Sequence, residues 1–126
     1  MEIVKVPVKK GVIKFEIGSD FDEVTNTVSG KVELDIESQS KFVEVVNNCF
    51  DEGVIHIVVD MQNVNYIDSS GLWALFEGHK KAAQKNGKLV LVAPTKDVRR
   101  VLDITKMSSK IEIYEASAEA VAHLDE

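Results

Sequence analysis

The stretch VIHIVVDMQNVNYIDSSGLWALFEGHKKAAQKNGKLVLVA, residues 54–93, decides the fold. It opens on an apolar run, Val54 to Val59, interrupted only by His56. Such a run is expected of a strand buried on both faces. It closes on a second run, KLVLVA, ended by Pro94, which cannot continue a central strand. Between them Leu72, Leu75, Phe76, His79 and Ala83 recur at helical spacing, with Gly87 as the stop. Strand, helix, strand is a βαβ unit, and it makes the two strands parallel. His56 is read as a packed, hydrogen-bonded core histidine rather than a ligand.

Working outward, the pattern repeats. Upstream, Phe42, Val45, Val46, Cys49 and Phe50 share one helical face, and Gly53 follows as a stop. Downstream, Thr95 is a plausible cap for a helix with Val98, Val101 and Leu102 on its apolar face and Asp97 in its first turn. KIEIYE reads as a short strand, and SAEAVAHL as a last helix capped by Ser117. The segment from Gly11 to Asp35 reads as short edge or mixed strands split by the turn-rich GSDFDE. After these opening strands the order is αβαβαβα. The expectation is an α/β protein: one domain over residues 1–126, with a mixed, mostly parallel sheet of about four to five strands and helices packed on it.

Composition narrows the function classes. The chain has 126 residues, 44% hydrophobic and 29% charged, with a net charge of −6. Nucleic-acid binding would need a basic patch, so no nucleic-acid partner is expected. The lone Cys49 supplies no disulfide framework and reads as a small core residue. The N-terminus lacks the h-region and cleavage site of a signal peptide, and no apolar run reaches about 20 residues. The expected location is cytoplasmic, with no membrane partner.

The corner DSSG, residues 68–71, raises the functional question. It follows a buried strand and a polar loop and opens a helix. In such folds sites gather where strand ends meet helix N-termini. Asp68 or Ser69 can cap the helix, and Gly71 lets another surface approach the backbone. A nucleophilic serine needs a base and an oxyanion hole. No G-x-S-x-G elbow is present, and nothing places His56, His79 or His123 beside Ser70. No metal-ligand spacing or phosphate-cradling glycine loop appears, so no metal or cofactor is expected. Modification fits better. A phosphoserine carries about −1.5 to −2 charges, and a helix N-terminus tolerates them. A partner docked on that corner would meet a new charge, so binding would switch without the fold switching.

The residues from Val54 through the D-S-S-G-L corner, KNGKLVLV and VRRVLDITKM to the last strand resemble the STAS domain of bacterial anti-sigma factor antagonists. The likeness spans roughly residues 12–124. It implies a STAS fold and a non-enzymatic phospho-switch. It implies Ser70, the second serine, as the phosphorylation site, with Ser69 the alternative. It implies that the unphosphorylated protein binds an anti-sigma factor that is also a serine kinase with a histidine-kinase-like ATP-binding fold, and that a serine phosphatase resets the switch. Asp68, Ser69 and Gly71 would frame the site. The family's second aspartate maps to Asp35. Two extra residues separate it from Gly30, and Glu33 is a rival. Trp73 stands where glycine is common in the family. It is either an exposed docking anchor or a residue packed on a neighbouring helix. The competing reading is a constitutive docking subunit of a signalling scaffold or a lipid-transport complex.

Overall fold

The expected βαβ succession is the backbone of the fold. The computed structural model describes residues 1–124. In chain order the elements are β1 (Glu2–Lys9), β2 (Val12–Gly18), β3 (Asp20–Asp22), β4 (Thr27–Ser29), β5 (Val32–Leu34), α1 (Gln39–Asp51), β6 (His56–Asp60), β7 (Val64–Ile67), α2 (Ser69–Gln84), β8 (Lys88–Val92), α3 (Lys96–Ile104), a 3₁₀ turn at Met107–Ser109, β9 (Ile113–Tyr114) and α4 (Ser117–Ala122). The main sheet has five strands in the order β1-β2-β6-β8-β9. Only the β1–β2 pair is antiparallel; β2–β6, β6–β8 and β8–β9 are parallel. Each successive strand joins the same growing edge, as short crossovers through a helix require.

Strand β6 is buried along its whole length, as the apolar run predicts. Its side chains alternate between two cores. Ile57 and Val59 join α1, α2 and α3 on one face, with Phe42, Val46, Leu75, Val98 and Leu102. Val58 meets Val12, Val90 and Val92 under Ala120 of α4 and Leu124 on the other. His56 sits in this wall, 5% exposed, and its Nδ1 accepts a hydrogen bond from the Lys88 backbone N–H at 3.0 Å. Cys49 is buried in the first core, where desolvation holds its thiol above the usual range.

Several local expectations need correction. The buried stripe of α2 is Gly71, Ala74, Leu75, Gly78 and Ala82; of the expected line Leu75 is buried, while Leu72, Phe76 and His79 are half-buried and Ala83 is exposed. The larger residues flank the contact because the helix sits too close to its neighbours for them. A Cβ on Gly78 would stand 2.7 Å from Leu89 Cδ1. Gly87 does not end α2 through a left-handed φ; Asn86 takes that conformation, at φ 60°. A Cβ on Gly87 would instead overlap the Ile55 carbonyl. GSDFDE is no simple turn: Asp20–Asp22 pairs with Thr27–Ser29 as a hairpin, and Asp22 Oδ1 accepts from the Val24 backbone N–H at its tip. Of the edge or mixed alternatives β2 is the mixed one, antiparallel to β1 on one side and parallel to β6 on the other. Ser117 does not cap α4; the cap position is Ala116, which offers no side-chain bond. Thr95 does cap α3, accepting from Val98 N–H at 3.3 Å.

The loop between β6 and the serine corner also holds an unexpected strand. β7 pairs in parallel with β5, with Glu33 opposite Tyr66 and Leu34 opposite Ile67. Only its two ends, Val64 and Ile67, are buried, so neither period two nor an apolar run marks it. This small sheet positions the functional corner.

Candidate functional site

Two parallel strands end side by side, and each turns into a helix. β5 leads through Asp35 into α1, and β7 leads through Asp68 into α2. The Asp68 backbone N–H donates to the Leu34 carbonyl at 3.3 Å, which ties the second turn to the first. Gly71 makes this approach possible. A Cβ there would overlap the Leu34 carbonyl oxygen and stand 2.8 Å from Ile67 Cγ1.

Asp68 is the N-cap of α2. Its backbone is extended (φ −113°, ψ −172°), and Oδ1 accepts from the Ser70 and Gly71 N–H groups at 2.9 and 3.1 Å. That choice between Asp68 and Ser69 matters. The carboxylate satisfies two of the orphan donors of the first turn, so neither serine hydroxyl serves as the cap. Ser69 is exposed and Ser70 half-buried. Among the described residues, neither hydroxyl has a hydrogen-bond partner.

The neighbouring turn is tied more tightly. Asp35 Oδ1 accepts from the Glu37 and Ser38 N–H groups at 3.0 and 3.2 Å. The Ser38 hydroxyl donates to the Glu33 carbonyl at 2.8 Å and accepts from the Asp35 N–H at 3.0 Å. The neighbouring Asp35 carboxylate favours a proton on Glu33, and this, followed by desolvation and the negative charges of Asp35, Glu37 and Asp68, holds Glu33 above its ordinary pKa. Partial burial pushes Asp35 upward, but the N–H groups of Ser38 and Glu37, with the Glu33 and Ser38 side chains, outweigh it and hold Asp35 below the usual range. Both rival acidic positions therefore meet in one corner, within reach of Asp68.

Trp73 lies on the next turn of α2 and is 49% exposed. It shares an open groove of about 530 Å³ with Gln39, Ser40, Val43, Glu44, Asn47 and Asn48 of α1. It thus combines the two expected arrangements, resting beside a neighbouring helix while presenting half its surface. Three neighbours of the corner went unread in the sequence: Ser38, Ile36 and Tyr66. Ile36 and Tyr66 are 66% and 50% exposed. An isoleucine between Asp35 and Glu37 is an apolar residue in a polar turn, and that mismatch is the one clue that could have found it.

The histidines are engaged elsewhere. His56 holds Lys88 N–H, His79 neighbours Phe76 (ring centroids 6.0 Å apart) and His123 stacks on Tyr114 at 5.1 Å. Tyr114 donates to Glu112, which with burial raises its phenol to about 12. No group of three or more His, Cys, Asp or Glu among the described residues is placed to hold a metal ion. No helix among them is long and apolar enough to cross a membrane.

Comparison with known proteins agrees with this geometry. The STAS domain signature matches residues 5–120. An anti-sigma-B factor antagonist of Staphylococcus epidermidis is 34% identical over 99 residues, covering 78% of this chain and 87% of that one. An anti-sigma F factor antagonist of Paenibacillus polymyxa is 30% identical over 70 residues, covering 56% of this chain; the chain spans only 60% of that relative. Among solved structures, a Thermotoga maritima protein assigned as an anti-sigma factor antagonist superposes with a TM-score of 0.80 at 24% identity, covering 97% and 93% of the two chains. The Bacillus cell fate determinant SpoIIAA in its phosphorylated form superposes with a TM-score of 0.67 at 15% identity, covering 96% and 97%. The chain belongs to the STAS domain family and matches its bacterial anti-sigma factor antagonists.

Proposed function

We propose that this protein is an anti-sigma factor antagonist that works as a non-enzymatic phospho-switch, with Ser70 as the acceptor. The observation that carries the reading is the serine corner itself. Asp68 already caps α2, and the Ser69 and Ser70 hydroxyls are left without partners among the described residues. Two small hydroxyls without a structural partner sit beside the acidic turn of Glu33 and Asp35.

In this reading the partner is an anti-sigma factor that is also a serine kinase with a histidine-kinase-like ATP-binding fold. It docks on the unmodified corner, and the sigma factor it held goes free. It then transfers the γ-phosphoryl of ATP to Ser70 Oγ, and the hydroxyl proton is released. The new charge arrives beside Asp68, Glu33 and Asp35. The Ser70 and Gly71 N–H groups are already held by Asp68 and do not neutralise it. The phosphate therefore repels rather than recaps the helix, and the docked face is lost. A serine phosphatase restores the hydroxyl. Asp35 and Trp73 contact the partner, with Asp68, Ser69 and Gly71 shaping the corner. The cytoplasm is where such partners meet it.

The test is a titration with the purified anti-sigma factor of the same host. Ser70→Ala is expected to bind like wild type and to resist modification. Ser70→Asp is expected to bind at least tenfold more weakly. Equal affinity for wild type and Ser70→Asp would contradict the reading.

A further inference from the structure

Among the described residues, seven large apolar side chains stand exposed: Val8, Phe21, Val24, Ile36, Tyr66, Trp73 and Ile104. Three of them gather around the serine corner. Tyr66 is paired across β5–β7 with Glu33, Ile36 follows Asp35 in the adjoining turn, and Trp73 is one turn beyond Ser70. Surface apolar residues scattered singly need no explanation, but a set rimmed by charge marks a docking surface. The rim here is acidic: Glu33, Asp35, Glu37 and Asp68 at the corner, and Glu44 in the adjoining groove. Lys31 and Lys41 are the nearby exceptions.

From this we infer that Ile36, Tyr66 and Trp73 are the apolar anchors of one docking face, which runs from the serine corner into the α1 groove. Its occupant is a partner protein that presents apolar side chains ringed by lysine and arginine. The inference rests on the proposed phospho-switch, because it takes the switch's partner as the occupant. It adds the residues that supply affinity, as distinct from Ser70, which supplies control. Charge selects the occupant. A second copy of this chain, at −6 overall, would bring the same acidic corner against itself. An anionic membrane would be repelled likewise. Binding energy in such faces concentrates in a few central aromatic and aliphatic residues, with the rim charges governing on-rate and specificity. The account therefore assigns affinity to residues 36, 66 and 73 and salt dependence to the acidic rim.

The test is site-specific photo-crosslinking in the native host. p-Benzoylphenylalanine is placed singly at positions 36, 66 and 69, and at positions 24 and 104, which are exposed and lie outside the two turns. The expected result is one protein crosslinked from 36, 66 and 69 and not from 24 or 104, through a segment rich in lysine and arginine. In the purified pair, Ile36→Ala and Tyr66→Ala should each weaken binding at least tenfold, while Val24→Ala changes it less than twofold. Crosslinking from 69 alone would overturn the inference and leave the phospho-switch standing. No protein captured from 69, 36 or 66 would overturn both. Capture of a second copy, or of lipid, from 36 and 66 would also refute the assigned occupant.

Discussion

The two turns that close the small sheet invite comparison. Each follows a parallel strand, each enters a helix, and each uses an aspartate whose Oδ1 accepts from two backbone N–H groups. They differ in what their serines do. In the β5–α1 turn, Ser38 bridges Glu33 and Asp35 and is spent on structure. In the β7–α2 turn, the Ser69 and Ser70 hydroxyls make no hydrogen bond among the described residues. A motif that looks like a helix cap is therefore a cap only through its aspartate. The hydroxyls remain available for chemistry supplied from outside.

The largest effect expected from disturbing this pair of turns comes from their shared wall. Gly71→Ala forces a Cβ against the Leu34 carbonyl and Ile67. Overpacking against backbone costs about 3 kcal/mol, read as a lower urea midpoint with an unchanged slope. A variant as stable as wild type would show that the two turns are not in close contact.

The next effects separate aspartate and serine roles. Asp68→Ala removes the α2 cap and should cost about 1 kcal/mol. Ser38→Ala removes two hydrogen bonds and should cost about 1 kcal/mol. Ser70→Ala should lie within about 0.5 kcal/mol of wild type, as a surface substitution does. These three are measured side by side by urea unfolding. A Ser70→Ala loss as large as that of Ser38→Ala would erase the contrast between the turns.

The smallest effect is in the pH dependence. Asp35 is held below its unfolded pKa, so its contribution is present above that pKa and is lost as pH falls through the folded value. Glu33 is held above its unfolded pKa, so its contribution is fully present below that pKa and fades as pH rises through the folded value. Asp35→Asn should therefore flatten the acid-side loss of stability, and Glu33→Gln should mildly raise stability near neutral pH. Urea midpoints between about pH 3 and pH 7 check both signs. A profile steepened by Asp35→Asn would show that its carboxyl is not stabilised by the turn.

How far the sequence could be read follows from the same physics. β6 and β8 were legible because apolar runs admit few other readings, and α1 and α3 because their stripes are strong. The α2 stripe was legible only at Leu75, because its other buried positions are glycine and alanine, which hydropathy ranks below the flanking leucine and phenylalanine. β7 was invisible because it is four residues long and buried only at its ends. β1, at the N-terminus, went unassigned, and its pairing with β2 is a tertiary fact. At the site, Asp68, Ser69, Ser70 and Gly71 were legible as a local motif. The meeting of Glu33 and Asp35 with Asp68 was not, since it depends on the β5–β7 pairing. Whether Trp73 faces solvent or helix had no local answer, and the structure gives it both neighbours.

The most direct test of the central claim is mass spectrometry of the protein purified from its own host. Trypsin cuts after Lys41 and Lys80, and the peptide between them carries three hydroxyl side chains: Tyr66, Ser69 and Ser70. The account predicts a phosphate on Ser70 under at least one growth condition and none on Tyr66. Phosphate absent from the peptide under every condition, while the protein stays bound to its partner, would contradict the switch and make the corner a constitutive docking surface.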